Sequence, residues 1–240
     1  MEERSKRRSA SGAEPPAKQP WLLRPRWPVW GADGRGAVAV DRVLIQTPRL
    51  QLRPWSPADA RDALDIYGDA TVTRWLTPVL PRIADERTMR DVLEKWAHHT
   101  ATSADPAGHW AIVRRSDDAV LGGLAIRDLE TQDGDLELAW QLAQRAWGHG
   151  YAAEGALALA AWGLARTDVD ELLALVRPRN QRSQATAQRI GMEWVGETDK
   201  FHGLRLLVYR LRAADLLPPT VVAGRADAPP LKASRSWGAA

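Results

Sequence analysis

The sequence predicts a single domain built on a mixed α/β sheet, and three observations carry that reading. Strand and helix signals alternate along residues 41–216, the run Leu172 to Val176 has the length and composition of a buried strand, and no internal repeat or linker-like stretch divides the chain. Period-two alternation marks strands, and apolar residues three and four apart mark helices.

Leu50 to Arg53 (LQLR) alternates like a short strand. Ser56 then suits an N-cap and Pro57 a first helical position, opening a helix that carries Ala60, Leu64 and Ile66 inward. A second helix over about Asp85 to His99 places Met89, Val92, Leu93 and Trp96 on one stripe. Trp110 to Arg114 and Val120 to Ile126 read as a hairpin turning at Ser116-Asp117-Asp118, and Leu136 to Leu142 as the fourth strand. An Ala/Leu-rich helix follows from about Gly150 to Arg166. Leu172 to Val176, apolar throughout, reads as a fifth strand buried on both faces. Asn180 to Ile190 is a helix closed by Gly191, and Trp194 to Gly196 and Leu204 to Leu211 are the final strands.

The bulk numbers narrow the function. A chain of 240 residues, 45% apolar and 26% charged, is expected to be a soluble globular protein of one domain with tails. With no cysteine, disulfides, thiolate metal sites and a cysteine nucleophile are excluded, and a reducing cytoplasmic setting fits. The uncharged run Gly155 to Ala165 is far shorter than the roughly 20 residues of a bilayer span, and the charged N-terminus has no apolar core of a secretory signal. No membrane association is therefore expected.

The net charge of +3 belongs to the ends. Residues 1–40 carry +4 and residues 217–240 carry +2, leaving −3 on residues 41–216. A nucleic-acid domain concentrates positive charge on a folded face, so this distribution argues against one. Residues 1–40 read as a disordered or loosely ordered basic extension, with Lys6, Arg7 and Arg8 suited to nucleic acid, to an acidic partner or simply to solvent, the last being favoured. Residues 217–240, rich in proline, read as a flexible tail.

Arg145-Ala-Trp-Gly148-His-Gly150-Tyr-Ala-Ala-Glu154 is the most informative stretch. It joins a strand ending at Leu142 to a helix beginning near Gly150. Glycines allow positive φ and close approach of a ligand to the backbone, and the free amides of a first helical turn favour an anion. This is the chemistry of a pyrophosphate cradle, though the same glycines also serve as a bare turn. The P-loop Gly-Lys-Ser/Thr is missing, and Ala153 stands where a dinucleotide fingerprint wants its third glycine.

Arg145-x-x-Gly148-x-Gly150 resembles the acetyl-CoA signature of the GNAT acetyltransferases. Glu137-Leu-Ala-Trp140 before it, and Asn180-x-x-Ser183 with Gly191-Met192 after it, resemble further elements of that family. Thr47-Pro-Arg-Leu-x-Leu-Arg53 looks like the opening of its RimJ/RimL-like branch, and the resemblance spans about Leu44 to Leu211. It implies an α+β domain over residues 41–216, with a mostly antiparallel sheet flanked by helices and a splayed cofactor cleft between the fourth and fifth strands.

It further implies an N-acetyltransferase that uses acetyl-CoA and a primary amine, either a protein N-terminal α-amine or a small-molecule amine. A non-catalytic acyl-CoA-binding module is the alternative. The cofactor residues would be Leu138, Trp140 and Leu142 on the strand, then Arg145, Gly148, His149, Gly150, Tyr151 and Ala152, then Asn180 and Ser183. An ammonium with pKa near 10.4 must lose a proton before it attacks. Glu137, a charged residue in an otherwise apolar strand, is the candidate base, and Asp135 on the same face is its substitute. The competing role for Glu137 is an outward glutamate paired with a neighbouring strand.

Ser183 heads the stripe Ser183, Ala187, Ile190 and is the candidate acid by analogy with that branch; a hydroxyl bonded to its own backbone is the alternative. Asn180 serves equally as a pantetheine contact or an N-cap, and Tyr151 and Tyr209 are weaker candidates for the acid. Phe201 and His202 are placed at the acceptor pocket. The acidic stretch Asp128 to Asp135 suits a cationic acceptor or a solvated loop. His149 lacks ligand neighbours, so no metal is expected. Dimers are common in the family, and a homodimer stays open.

Overall fold

The computed structural model describes residues 44–216, apart from 104–105, 130, 132–133 and 167–169. The expectations for residues 1–40 and 217–240 lie outside the described residues. Thirteen principal elements follow in chain order. They are β1 (Ile45–Gln46), β2 (Leu50–Pro54), α1 (Ala60–Tyr67), α2 (Ala70–Thr73), α3 (Glu86–Thr102), β3 (Gly108–Arg114) and β4 (Val120–Asp128), then β5 (Leu136–Leu142), α4 (Tyr151–Leu164), β6 (Glu171–Val176), α5 (Gln181–Arg189), β7 (Glu193–Thr198) and β8 (Leu206–Arg212). The sheet runs β1-β2-β3-β4-β5-β6-β8-β7. Every neighbouring pair is antiparallel except β5 with β6.

Local chemistry sets the element ends. The Ser56 hydroxyl accepts from the chain while Asp59 reaches back to the Ser56 amide at 2.9 Å, a capping box opening the turn that leads into α1. Asp85 caps α3 by accepting from the Thr88 amide at 2.9 Å. Asn180 caps α5, accepting from the Ser183 amide at 3.2 Å, and Gly191 ends that helix at φ 91°.

Alternation in the strands divides the core between the two sheet faces. Trp110 and Ile112 of β3 join Leu50, Leu124 and Leu138 beneath α4. Ala111 and Val113, the intervening residues, meet α1 and α3 through Ile66, Tyr67, Met89 and Leu93. Burying one such large apolar side chain contributes roughly 1.5–3 kcal/mol, so both layers hold the sheet in place.

The structure departs from the sequence expectation at five points. A two-residue strand, β1, precedes the first expected one, so the expected fourth and fifth strands are β5 and β6. The four-residue α2 was also unexpected, being too short for any periodicity. Leu64 is only half-buried, Ala63 taking the inward place on α1. Val92 and Trp96 on α3 are likewise only partly buried, whereas Met89 and Leu93 are fully so. Finally β6 is not buried on both faces: Leu172, Ala174 and Val176 are buried, whereas Leu173 and Leu175 are half-buried. Of these two, Leu175 borders the cleft between β5 and β6. Among the described residues no helix is long and apolar enough to cross a membrane.

Gly122 in β4 has no room for a side chain. A Cβ there would lie 2.2 Å from the Gln141 carbonyl oxygen of β5, and backbone cannot rotate aside. Gly122→Ala is expected to lower stability by about 3 kcal/mol, read as a fall in Tm of roughly 10 °C in thermal unfolding.

Candidate active site

The parallel step between β5 and β6 shapes the site. These strands pair at a single register position, Glu137 opposite Leu173, and then part. Beyond that point a cleft of about 1450 Å³ opens between them. It is lined by Leu138, Trp140 and Leu142 from β5 and by Ala174, Leu175 and Val176 from β6.

The β5–α4 connection forms one end of the cleft. Gly148 and Gly150 hold φ values of 80° and 78°, in the left-handed region that favours glycine. A Cβ at Gly148 would meet nothing within 4 Å, so the conformation demands the glycine and the space before it is open. Gly150 is the N-cap of α4 and offers no capping side chain. The first intrahelical bond runs from the Glu154 amide to the Gly150 carbonyl at 3.0 Å. Among the described residues the amides of residues 148 to 153 have no acceptor. A run of free donors at a helix N-terminus is a site for an anion such as a pyrophosphate.

The opposite end is aromatic and charged. Glu137 is 8% exposed, and its Oε2 accepts from Arg127 Nη2 at 2.6 Å across the β4–β5 ladder. Its Oε1 has no partner among the described residues. Tyr67, Trp96 and His109 line the same cleft. The Trp96 and His109 rings stack with centroids 4.9 Å apart, and Tyr67 meets Trp96 edge-on at 5.1 Å. The Tyr67 hydroxyl donates to Gln141 Oε1 at 3.3 Å. Burial raises its pKa, the nearby Arg127 only partly opposing this, so the phenol stays protonated. Burial, then Arg127 and then His99, lower the His109 pKa to about 3, so its imidazole is neutral at working pH.

The residues singled out from sequence fall as follows. Gly148, His149, Gly150, Tyr151 and Ala152 border the cleft, as do Asn180 and Ser183. Asn180 acts as the N-cap already described, and the Ser183 hydroxyl makes no hydrogen bond among the described residues, to its own backbone or elsewhere. Asp135 is half-buried on the cleft wall with Asp128, while Glu130 and Asp133 lie outside the described residues. Phe201 and His202 border the cleft from the β7–β8 loop.

Arg145 turns away: its Nη2 donates to the Val120 carbonyl at 2.9 Å and its Nη1 lies 3.8 Å from Asp65. Arg182, Arg177 and Arg189 reach the cleft instead. Tyr209 is buried at 3% exposure and does not line the cleft. Sequence reasoning missed Tyr67, His109 and Arg127. Tyr67 ends α1 just before Gly68, but only the packing of α1 on the sheet brings it to the cleft, where it meets Gln141.

An open sheet parted at one parallel step, with a free-amide cradle and a buried carboxylate at its two ends, is the framework of an acyl-CoA-type acyltransferase. Residues 49–193, more than half of the chain, match the Acetyltransferase (GNAT) domain family, and the chain belongs to that family of acyltransferases. The chain is 24% identical over 139 residues to "Uncharacterized N-acetyltransferase p20" of Bacillus licheniformis, covering 58% of this chain and 76% of that protein. Among solved structures, an acetyltransferase from Agrobacterium tumefaciens str. C58 superposes with a TM-score of 0.60 at 25% identity, covering 75% of this chain and 99% of the other. A ribosomal-protein-S5-alanine acetyltransferase from Vibrio fischeri superposes with a TM-score of 0.59 at 15% identity, covering 73% and 100%; at that identity the likeness concerns the fold.

The depressed His109 pKa has a consequence for stability. In the unfolded chain the imidazole takes a proton near pH 6.5, whereas in the folded chain it resists until about pH 3. Stability present above about pH 6.5 is therefore lost as pH falls, by at most about 1.4 kcal/mol per pH unit. Denaturant unfolding between pH 6.5 and 5 is expected to show that slope in the wild type and a flatter one in His109→Phe, which keeps a ring against Trp96.

Proposed function

We propose that this enzyme transfers the acetyl group of acetyl-CoA to a primary amine, and that the protein N-terminal α-amine is the favoured acceptor. The observation carrying the reading is the pairing, in one cleft, of six free backbone amides at residues 148–153 with the buried carboxylate of Glu137 where β5 and β6 part. The residues present fit acetyl-CoA. The cradle amides suit its pyrophosphate, and the parted edges of Leu138 to Leu142 and Ala174 to Val176 offer amide-rich walls for an extended pantetheine arm. Asn180 and Ser183 stand beside that path. When bound, acetyl-CoA supplies an acetyl group activated as a thioester.

The chain's own groups manage protons. Glu137 Oε1, free while Arg127 holds Oε2, takes the proton of the acceptor ammonium directly or through water. Arg127 fixes the carboxylate's orientation. The Ser183 hydroxyl, uncommitted to any partner among the described residues, gives a proton at the position of the departing sulfur. Tyr67, a protonated phenol on the same cleft, is the second donor within the site. An α-amine, with a pKa near 8 against about 10.4 for a lysine, asks less of Glu137. The Thr47-Pro-Arg-Leu opening, which resembles that of the RimJ/RimL-like branch, favours that acceptor over small amines. Initial rates on peptides with free or blocked N-termini, set against polyamines, decide it; activity on polyamines alone overturns the α-amine reading.

Two measurements test the assignment. Acetyl-CoA at about 100 times its Kd should stabilise the native state by about 2.7 kcal/mol, raising Tm by several degrees. Gly148→Asp, if folded, should lose that shift because it sets a carboxylate in the cradle; no shift in the wild type would reduce the cradle to a turn. Glu137→Gln should slow acetyl transfer at neutral pH by about a hundredfold while acetyl-CoA binding is retained. An unchanged pH–rate profile would remove Glu137 from the mechanism, and binding without transfer to any amine would leave a non-catalytic acyl-CoA module.

A further inference from the structure

Glu154 is a buried charge that the reaction does not use. It lies in the first turn of α4 with its side chain only 2% exposed, which demands full compensation. Compensation comes from more than a hundred residues earlier, in the turn between β1 and β2. Thr47 Oγ1 donates to Glu154 Oε1 at 2.6 Å, and the Arg49 amide donates to the same oxygen at 3.1 Å. Arg49 Nε and Nη2 both approach Oε2 at 2.6 Å.

Arg49 does more than neutralise this carboxylate. Its Nη1 donates to the His149 carbonyl at 3.0 Å, inside the glycine cradle. Its guanidinium carbon lies 4.7 Å from the Tyr151 ring centroid, and His149 stacks on that ring at 5.5 Å. The guanidinium thus spans the cradle backbone on one side and the helix carrying the cradle on the other. A peptide unit has its carbonyl and amide on opposite sides. Holding the His149 carbonyl back against Arg49 therefore turns the amide of Gly150 the other way, towards the cleft. With φ positive at both Gly148 and Gly150, this loop has few internal restraints of its own.

We infer that Arg49, fixed by Glu154 and Thr47, is a positioning residue that presets the cradle for the pyrophosphate of acetyl-CoA. The inference rests on the proposed reading of the cradle as the acetyl-CoA site. It assigns a job to the Thr47-Pro-Arg49 segment, which has no place among the reacting groups. Arg49 acts through the His149 carbonyl and not as a free cation, since Glu154 already balances its charge.

Binding of CoA by calorimetry, with acetyl transfer kinetics and thermal unfolding beside it, tests this. Arg49→Ala is expected to weaken CoA binding by about tenfold, the scale of one lost charge-assisted hydrogen bond. KM for acetyl-CoA should rise more than kcat falls. The KM for acetyl-pantetheine, which lacks the pyrophosphate, should not move. Glu154→Gln separates the two roles that Arg49 could have. It frees the guanidinium while leaving it charged, so positioning predicts weaker CoA binding and direct attraction predicts tighter binding. A lowered Tm with unchanged CoA affinity in Arg49→Ala, an equal rise in both KM values, or tighter binding by Glu154→Gln overturns the inference. Absence of CoA binding in the wild type would instead overturn the reading of the cleft.

Discussion

One parallel neighbour in an otherwise antiparallel sheet organises this protein. Antiparallel strands are joined by tight turns, but β6 can run beside β5 only if the chain first returns along the sheet, and α4 makes that return. The return places the N-terminus of α4 at the end of β5, where its free amides face outward. It also leaves β5 and β6 paired at one position, Glu137 with Leu173, beyond which they part. Anion cradle, open cleft and buried carboxylate thus arise from a single topological step.

That step explains which parts of the molecule are legible in the sequence. Caps and turns are local, and Ser56, Asn180 and Gly191 take the roles their residue types suggest. The glycines at 148 and 150 are legible because positive φ has so few other occupants. The apolar run in β6 misleads at Leu175, because an apolar side chain bordering a cleft reads the same in sequence as one packed in a core. Nor can a sequence show that α1 delivers Tyr67 and β3 delivers His109 to the same end of the cleft, residues 42 positions apart in number yet joined through the Trp96 ring. Arg145 shows the opposite failure: its place in the motif suggests the ligand, but the Val120 carbonyl and Asp65 claim its guanidinium.

The two buried glutamates illustrate how burial alone does not assign function. Glu154 has both oxygens occupied, by Thr47 and the Arg49 amide on one and the Arg49 side chain on the other, so it is a structural charge. Glu137 has one oxygen held by Arg127 and one without a partner among the described residues. Only the second arrangement leaves a lone pair for chemistry, and only Glu137 lines the cleft. Reading Glu137 as a paired glutamate and reading it as a base are therefore compatible, because the pair engages one oxygen and orients the other.

The same distinction between local and global charge bears on the proposed cosubstrate. CoA is strongly anionic, yet residues 41–216 carry a net charge of −3, so the field of the whole domain does not favour it. Binding must come from short-range groups: the amides of the cradle, the dipole of α4, and arginines such as Arg182, held over the Trp147 ring at 4.4 Å beside the cleft. Short-range donors act only when they are aimed. An unfavourable domain charge therefore makes the orientation of the cradle amides matter more for affinity than the number of basic residues nearby. In this chain that orientation depends on a loop whose two glycines restrain it little, and on what holds the His149 carbonyl behind it.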